Sequence, residues 1–103
     1  MKYAAIQNYV NGQFVTPSSN RTLDVISPVD GKLLSTVPMS SAKDLDAAVK
    51  AAKAAFPAWS RTPIKERVQV FFRYKTLLEK HLKELAERCS EENGKTYGES
   101  VAE

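Results

Sequence analysis

Apolar and polar positions follow two different periods along this chain, and the change of period falls near residue 40. In residues 1–40, short β-prone runs alternate with turn residues. Tyr9-Val10 and Phe14-Val15 flank Asn11-Gly12. Both turn positions of a type I′ hairpin need positive φ, which Asn and Gly tolerate best, so this spacing predicts a tight hairpin. After the Pro17-Ser18-Ser19-Asn20 loop, residues 22–26 read as a strand and residues 28–31 as a turn. Residues 33–37 form a third run, closed by Pro38. Short antiparallel pieces of this kind are marginal alone.

From residue 41 the period becomes helical. Ser41 reads as an N-cap, with Asp44 placed to reach back to it. Leu45, Val49, Ala52, Phe56 and Trp59 follow at helical spacing, and Pro57 is expected to end or kink the helix near its last turn. Thr62-Pro63 opens a second helix, as a capping hydroxyl followed by proline in the first turn. Its stripe is Ile64, Val68, Phe71 and Leu78, continued by Leu82, Leu85 and Cys89 after a break near His81. Gly94 suits the left-handed residue that closes a helix. Leu45, Val49, Phe56, Val68 and Phe71 are the expected core. Glu91 and Glu92 oppose the dipole at the end of this helix, and nothing local explains them.

The predicted architecture is thus α+β: short antiparallel hairpins over about 6–38, then three to four helices over about 41–103. With 103 residues the chain is one small domain at most, or part of a larger one. That leaves room for a core but not for a cofactor cleft between two lobes. The net charge of +3 is spread along the chain. Glu79/Lys83, Lys80/Glu84, Lys83/Glu87 and Glu84/Arg88 stand at i,i+4, the pattern of a solvated helix face and not of a basic nucleic-acid patch. No apolar run approaches the ~18 residues of a membrane span. The N-terminal residues read as neither a secretory signal nor a transit peptide, and the expected setting is cytoplasmic.

Candidate chemistry is sparse. Asn93-Gly94-Lys95-Thr96 has the ending of a phosphate-binding loop, but Cys89 stands where that motif needs its first glycine, and a helix precedes it where a strand should. A helix-ending turn is the expectation. Cys89 is the single cysteine and falls on an apolar stripe near a helix C-terminus, so it is expected to be a buried structural thiol and not a nucleophile. His81, the single histidine, makes no zinc-ligand spacing with it. The aromatic residues on the stripes read as core, with Phe72 and Tyr74 pointing elsewhere. No carboxylate pair sits in an apolar setting fit for a general acid. The expected lists of catalytic, cofactor-binding and metal-ligating residues are empty.

Several landmarks, taken in order, add a resemblance. They are Tyr9-Val10-Asn11-Gly12-Gln13-Phe14, Val25-Ile26-Ser27-Pro28, Asp46-Ala47-Ala48-Val49, Ala54-Ala55-Phe56-Pro57-Ala58-Trp59 and Glu91-Glu92-Asn93-Gly94-Lys95-Thr96. Together they resemble the start of the aldehyde dehydrogenase family, an α/β fold. Residues 56–63 and 66–75 resemble its methylmalonate-semialdehyde branch, which passes the acyl group to coenzyme A. The resemblance implies that residues 1–103 are the N-terminal part of a cofactor-binding domain, hairpins over 1–40 and helices over 41–103. It places the catalytic cysteine, the oxyanion-hole asparagine and the dinucleotide-binding strands beyond residue 103. It implies NAD and coenzyme A for the full-length enzyme, with no cofactor held by this chain. The implied partners are the rest of the dehydrogenase chain and further copies in a homo-oligomer, with no nucleic acid or membrane. Some relatives hold a structural monovalent cation through backbone carbonyls, in a region matching Val25 and Ile26. A hydrolytic dehydrogenase and a non-catalytic helical assembly module are the alternatives. The apolar stripes must face each other, a partner chain or water.

Overall fold

A computed structural model describes all residues, 1–103. The order is β1 (Asn8–Val10), β2 (Gln13–Val15), β3 (Thr22–Ile26), β4 (Leu33–Pro38), α1 (Ala42–Arg61), α2 (Ile64–Lys80), α3 (Leu82–Asn93) and α4 (Tyr97–Ala102). The strands pair as β1–β2 and β3–β4. The expected α+β arrangement of hairpins followed by four helices is what the chain adopts. It divides into two units, Met1–Val25 with Leu33–Arg61, and Ile26–Lys32 with Thr62–Glu103.

In the first unit, Asn11 and Gly12 hold φ of 51° and 76°, the two left-handed positions of the predicted turn. They set the antiparallel register Asn8↔Val15, Tyr9↔Phe14 and Val10↔Gln13. Tyr9 and Phe14 stand opposite one another and meet edge to face, their ring centroids 5.0 Å apart. β4 gains a second neighbour that its sequence does not announce. The amides of Lys2 and Tyr3 donate to the Leu34 carbonyl, and that of Ile6 donates to the Thr36 carbonyl. The Ser35 hydroxyl donates to the Ala4 carbonyl at 2.7 Å. With β3 on one side and the N-terminal segment on the other, Leu34 and Ser35 are buried.

α1 begins as predicted. Ser41 accepts from the Asp44 amide, and the Asp44 carboxylate accepts from the Ser41 amide at 2.7 Å. Pro57 stands in the last turns of the helix, as expected, and the helix ends at Arg61. A proline that late removes only its own amide bond and leaves the following residues able to close the last turn. α2 begins one residue later than expected. Pro63 occupies the cap position with extended ψ of 145°, and its carbonyl accepts from Glu66 and Arg67. The break at His81 is present, separating α2 from α3. Gly94 closes α3 at φ 72° and donates to the Ser90 carbonyl.

The expected core is corrected. Leu45, Val49, Phe56, Val68 and Phe71 are all exposed, Phe71 at 63% and Phe56 at 66%. Neither α1 nor α2 buries a single residue. The only buried hydrophobic residues are Leu34 and Ala86. The stripes sit on the helix faces the period requires, but nothing in the chain covers those faces.

Candidate functional site

The second unit gathers most of the residues that could bear chemistry. α3 and α4 are joined by Gly94, Lys95 and Thr96, and α4 opens on a second capping box. The Thr96 hydroxyl accepts from the Glu99 amide, while the Glu99 carboxylate accepts from the Thr96 amide at 3.0 Å. That amide bond, then the Thr96 hydroxyl, lowers the Glu99 pKa. The Thr-x-x-Glu spacing was visible in the sequence but went unread beside Gly94. The supposed phosphate-loop ending is therefore a helix stop followed by a helix start. Its lysine is committed elsewhere: Lys95 pairs with Glu103, which raises the Lys95 pKa and lowers that of Glu103.

Cys89 is half-buried, not buried as expected. Its thiol donates to the Glu103 carboxylate at 3.3 Å. α4 leaves one side of the α3 stripe uncovered, and a groove of about 340 Å³ opens there between Leu78, Leu82, Leu85, Cys89 and Val101. The His81 ring lies 3.6 Å from Glu84 and forms part of a surface cluster with Arg88. Two of the four anticipated ion pairs form, Lys83–Glu87 and Glu84–Arg88, while Glu79 pairs with Lys75 instead. No group of three His, Cys, Asp or Glu side chains is placed to hold a metal ion.

The first unit holds one polar network of note. The Asp44 carboxylate accepts from the backbone and hydroxyl of Ser41 and also from the backbone and hydroxyl of Ser18, in the loop 26 residues earlier. The Ser41 amide, then that of Ser18, holds its carboxyl far below the ordinary carboxylate range. This network ties a loop to a helix start and presents no open position for a ligand.

What the structure does offer is apolar surface. On α2, Ile64, Val68, Phe71 and Leu78 form one exposed stripe, and Val70, Tyr74 and Leu77 a second beside it. A helix with an apolar face this wide ordinarily turns that face toward a core. Among these residues lies Arg67, whose Nε is buried without a hydrogen-bond partner. Sequence reasoning missed Arg67 because the stripe was read by its apolar members alone. No helix of the chain is long and apolar enough to cross a membrane.

The chain is 45% identical over 98 residues to a malonate-semialdehyde dehydrogenase of Geobacillus thermodenitrificans, covering 95% of this chain and 20% of that one. A Sinorhizobium meliloti structure described as a methylmalonate-semialdehyde dehydrogenase complexed with NAD superposes with a TM-score of 0.90 at 36% identity, covering 99% of this chain and 21% of that one. An aldehyde dehydrogenase from Bartonella henselae gives a TM-score of 0.92 at 28% identity, over 96% and 21% of the two chains. The chain thus spans about a fifth of the length of these relatives. The aldehyde dehydrogenase family model matches residues 14–103, and the chain belongs to that family.

Proposed function

We propose that these 103 residues are the N-terminal part of the cofactor-binding domain of an NAD-dependent semialdehyde dehydrogenase of the coenzyme A-acylating type. Exposure within each unit supports this reading most strongly: neither α1 nor α2 buries a residue, and Phe56 and Phe71 stand 66% and 63% exposed. The four-fifths of the relatives' length beyond the match is enough to cover such faces. Alone, the chain supplies no nucleophile, oxyanion hole or glycine-rich strand-to-helix turn, and it is inactive and without NAD affinity. The full-length protein is homo-oligomeric, as the resemblance implies, and its expected setting is the cytoplasm.

In the family's chemistry a cysteine thiolate attacks the aldehyde, hydride passes to NAD, and the resulting thioester is released by an acceptor. The relatives' names and the resemblance of residues 56–75 favour a semialdehyde of malonate type and a thiol acceptor. Two measurements test the reading. Titration calorimetry of this chain with millimolar NAD should show no saturable heat. Turnover of the full-length enzyme on malonate or methylmalonate semialdehyde with NAD should require coenzyme A. Equal turnover without coenzyme A, yielding free acid, would assign a hydrolytic dehydrogenase instead.

A further inference from the structure

The segment before β1 follows β4 in the same direction, contact after contact. The Lys2 and Tyr3 amides both donate to the Leu34 carbonyl, at 3.0 and 2.8 Å, and the Ile6 amide donates to the Thr36 carbonyl at 2.9 Å. Between these points the Ser35 hydroxyl donates to the Ala4 carbonyl at 2.7 Å. Where β1 begins, the Asn8 side-chain amide donates to the Ser40 hydroxyl at 2.8 Å and pins the far end. Residues 2–7 are thus a parallel third strand laid on an antiparallel pair. The fit is irregular. From Tyr3 to Ile6 the segment advances three residues, while β4 advances two, from Leu34 to Thr36. A regular ladder advances equally on both strands.

The two sides of this contact differ in burial. On β4, Leu34 and Ser35 are 7% and 4% exposed. Of residues 1–7, only Tyr3 is even half-buried. A segment held by a few backbone bonds, with little buried side chain, opens at a lower free energy than its surroundings. The strand beneath it, Leu33–Pro38, is six residues long and carries no charge. An edge of that kind is a template for pairing with other backbone, and proteins cover such edges. We propose that residues 2–7 are a detachable edge guard: a strap that opens and closes over β4 as one unit, apart from unfolding of the chain. The Ser35 hydroxyl is its latch, because that donor is buried and shielded from competing water while the strap is closed. Asn8 is its fixed end.

The test is native-state hydrogen exchange on the full-length dehydrogenase carrying this segment. After correction for intrinsic rates, the Lys2, Tyr3 and Ile6 amides should share one opening constant. It should exceed the global unfolding constant, measured with urea, by about tenfold or more. Ser35→Ala should raise all three constants together by about 5- to 10-fold, the worth of one hydrogen bond. Ile6→Pro removes a donor whose side chain is 48% exposed, and it should raise the Lys2 and Tyr3 constants to the same degree. Lys2→Pro should change the Tyr3 and Ile6 constants by less than about twofold, because Tyr3 still serves the Leu34 carbonyl. Unequal constants in wild type, or an Ile6→Pro variant whose Lys2 and Tyr3 exchange as before, would mean separate contacts and no strap. Exchange of all three amides only at the global rate would mean a permanent strand, and the guard is overturned. Constants unmoved by Ser35→Ala would overturn the latch.

Discussion

β4 and α2 are both apolar in sequence and meet opposite fates. β4 lies between β3 and the N-terminal segment, and it contributes the buried Leu34 and Ser35. α2 is almost three times as long, and every large hydrophobic side chain on it is exposed. Apolar content alone does not separate them: β4 buries the consecutive residues Leu34 and Ser35, whereas α2 keeps its apolar residues on adjoining exposed stripes. The difference is one of supply: β4 finds partners on both edges within the first 38 residues, whereas α2 meets α3 but buries none of its own residues. Burial is a property of the pair of surfaces, and a sequence shows only one of them.

The largest effects should come from changing context around these two elements. Leu34→Ala should destabilise the 103-residue chain by about 2–5 kcal/mol, the cost of emptying a covered site. Phe71→Ala should cost the same chain less than ~1 kcal/mol, because the ring is already in water. In the full-length protein Phe71→Ala should rise to about 3–5 kcal/mol. Urea unfolding of each variant in both contexts reads all three. A large Phe71→Ala effect in the short chain would erase the contrast between β4 and α2.

Backbone positions give intermediate effects. Gly94 holds φ 72°, and a β-carbon there would lie 3.4 Å from Pro28 Cγ. Gly94→Ala should cost about 1–2 kcal/mol by thermal or urea unfolding, mostly from the left-handed backbone. Ser41→Ala should cost about 1 kcal/mol through loss of the α1 cap, seen as reduced helicity and a lower unfolding midpoint.

The smallest effect is electrostatic. The Asp44 pKa lies below its ordinary value of 3.8, so the unfolded chain takes up a proton there first as the pH falls. The stability from the Ser18–Ser41–Asp44 network is therefore present in full above pH 3.8 and lost as the pH drops through the lower folded value. Asp44→Asn should flatten this acid limb of a stability–pH profile. An unchanged limb would remove the network from the account.

Local structure was legible where a short-range rule decides it. Asn11-Gly12, Ser41 with Asp44, and Gly94 each fix a conformation within a few residues, and each lies where the sequence placed it. The β3 strand matched residue for residue. One boundary set by competition slipped: Pro63 took the cap expected of Thr62. Long-range partners were not legible, because no local signal links Ser18 to Asp44 or residues 2–6 to β4. The core residues failed for a different reason. Their stripes were correct, but neither α1 nor α2 buries a residue in this chain.

Trp59 gives the most direct access to that point. It is the only tryptophan, lies on the apolar stripe of α1 and is 41% exposed. Its fluorescence should be quenched freely by acrylamide in the 103-residue chain. In a full-length dehydrogenase whose other tryptophans are replaced by phenylalanine, quenching should fall several-fold and the emission should shift to the blue. Equal quenching and equal emission in the two proteins would contradict the claim that these apolar faces are docking surfaces for the rest of the enzyme.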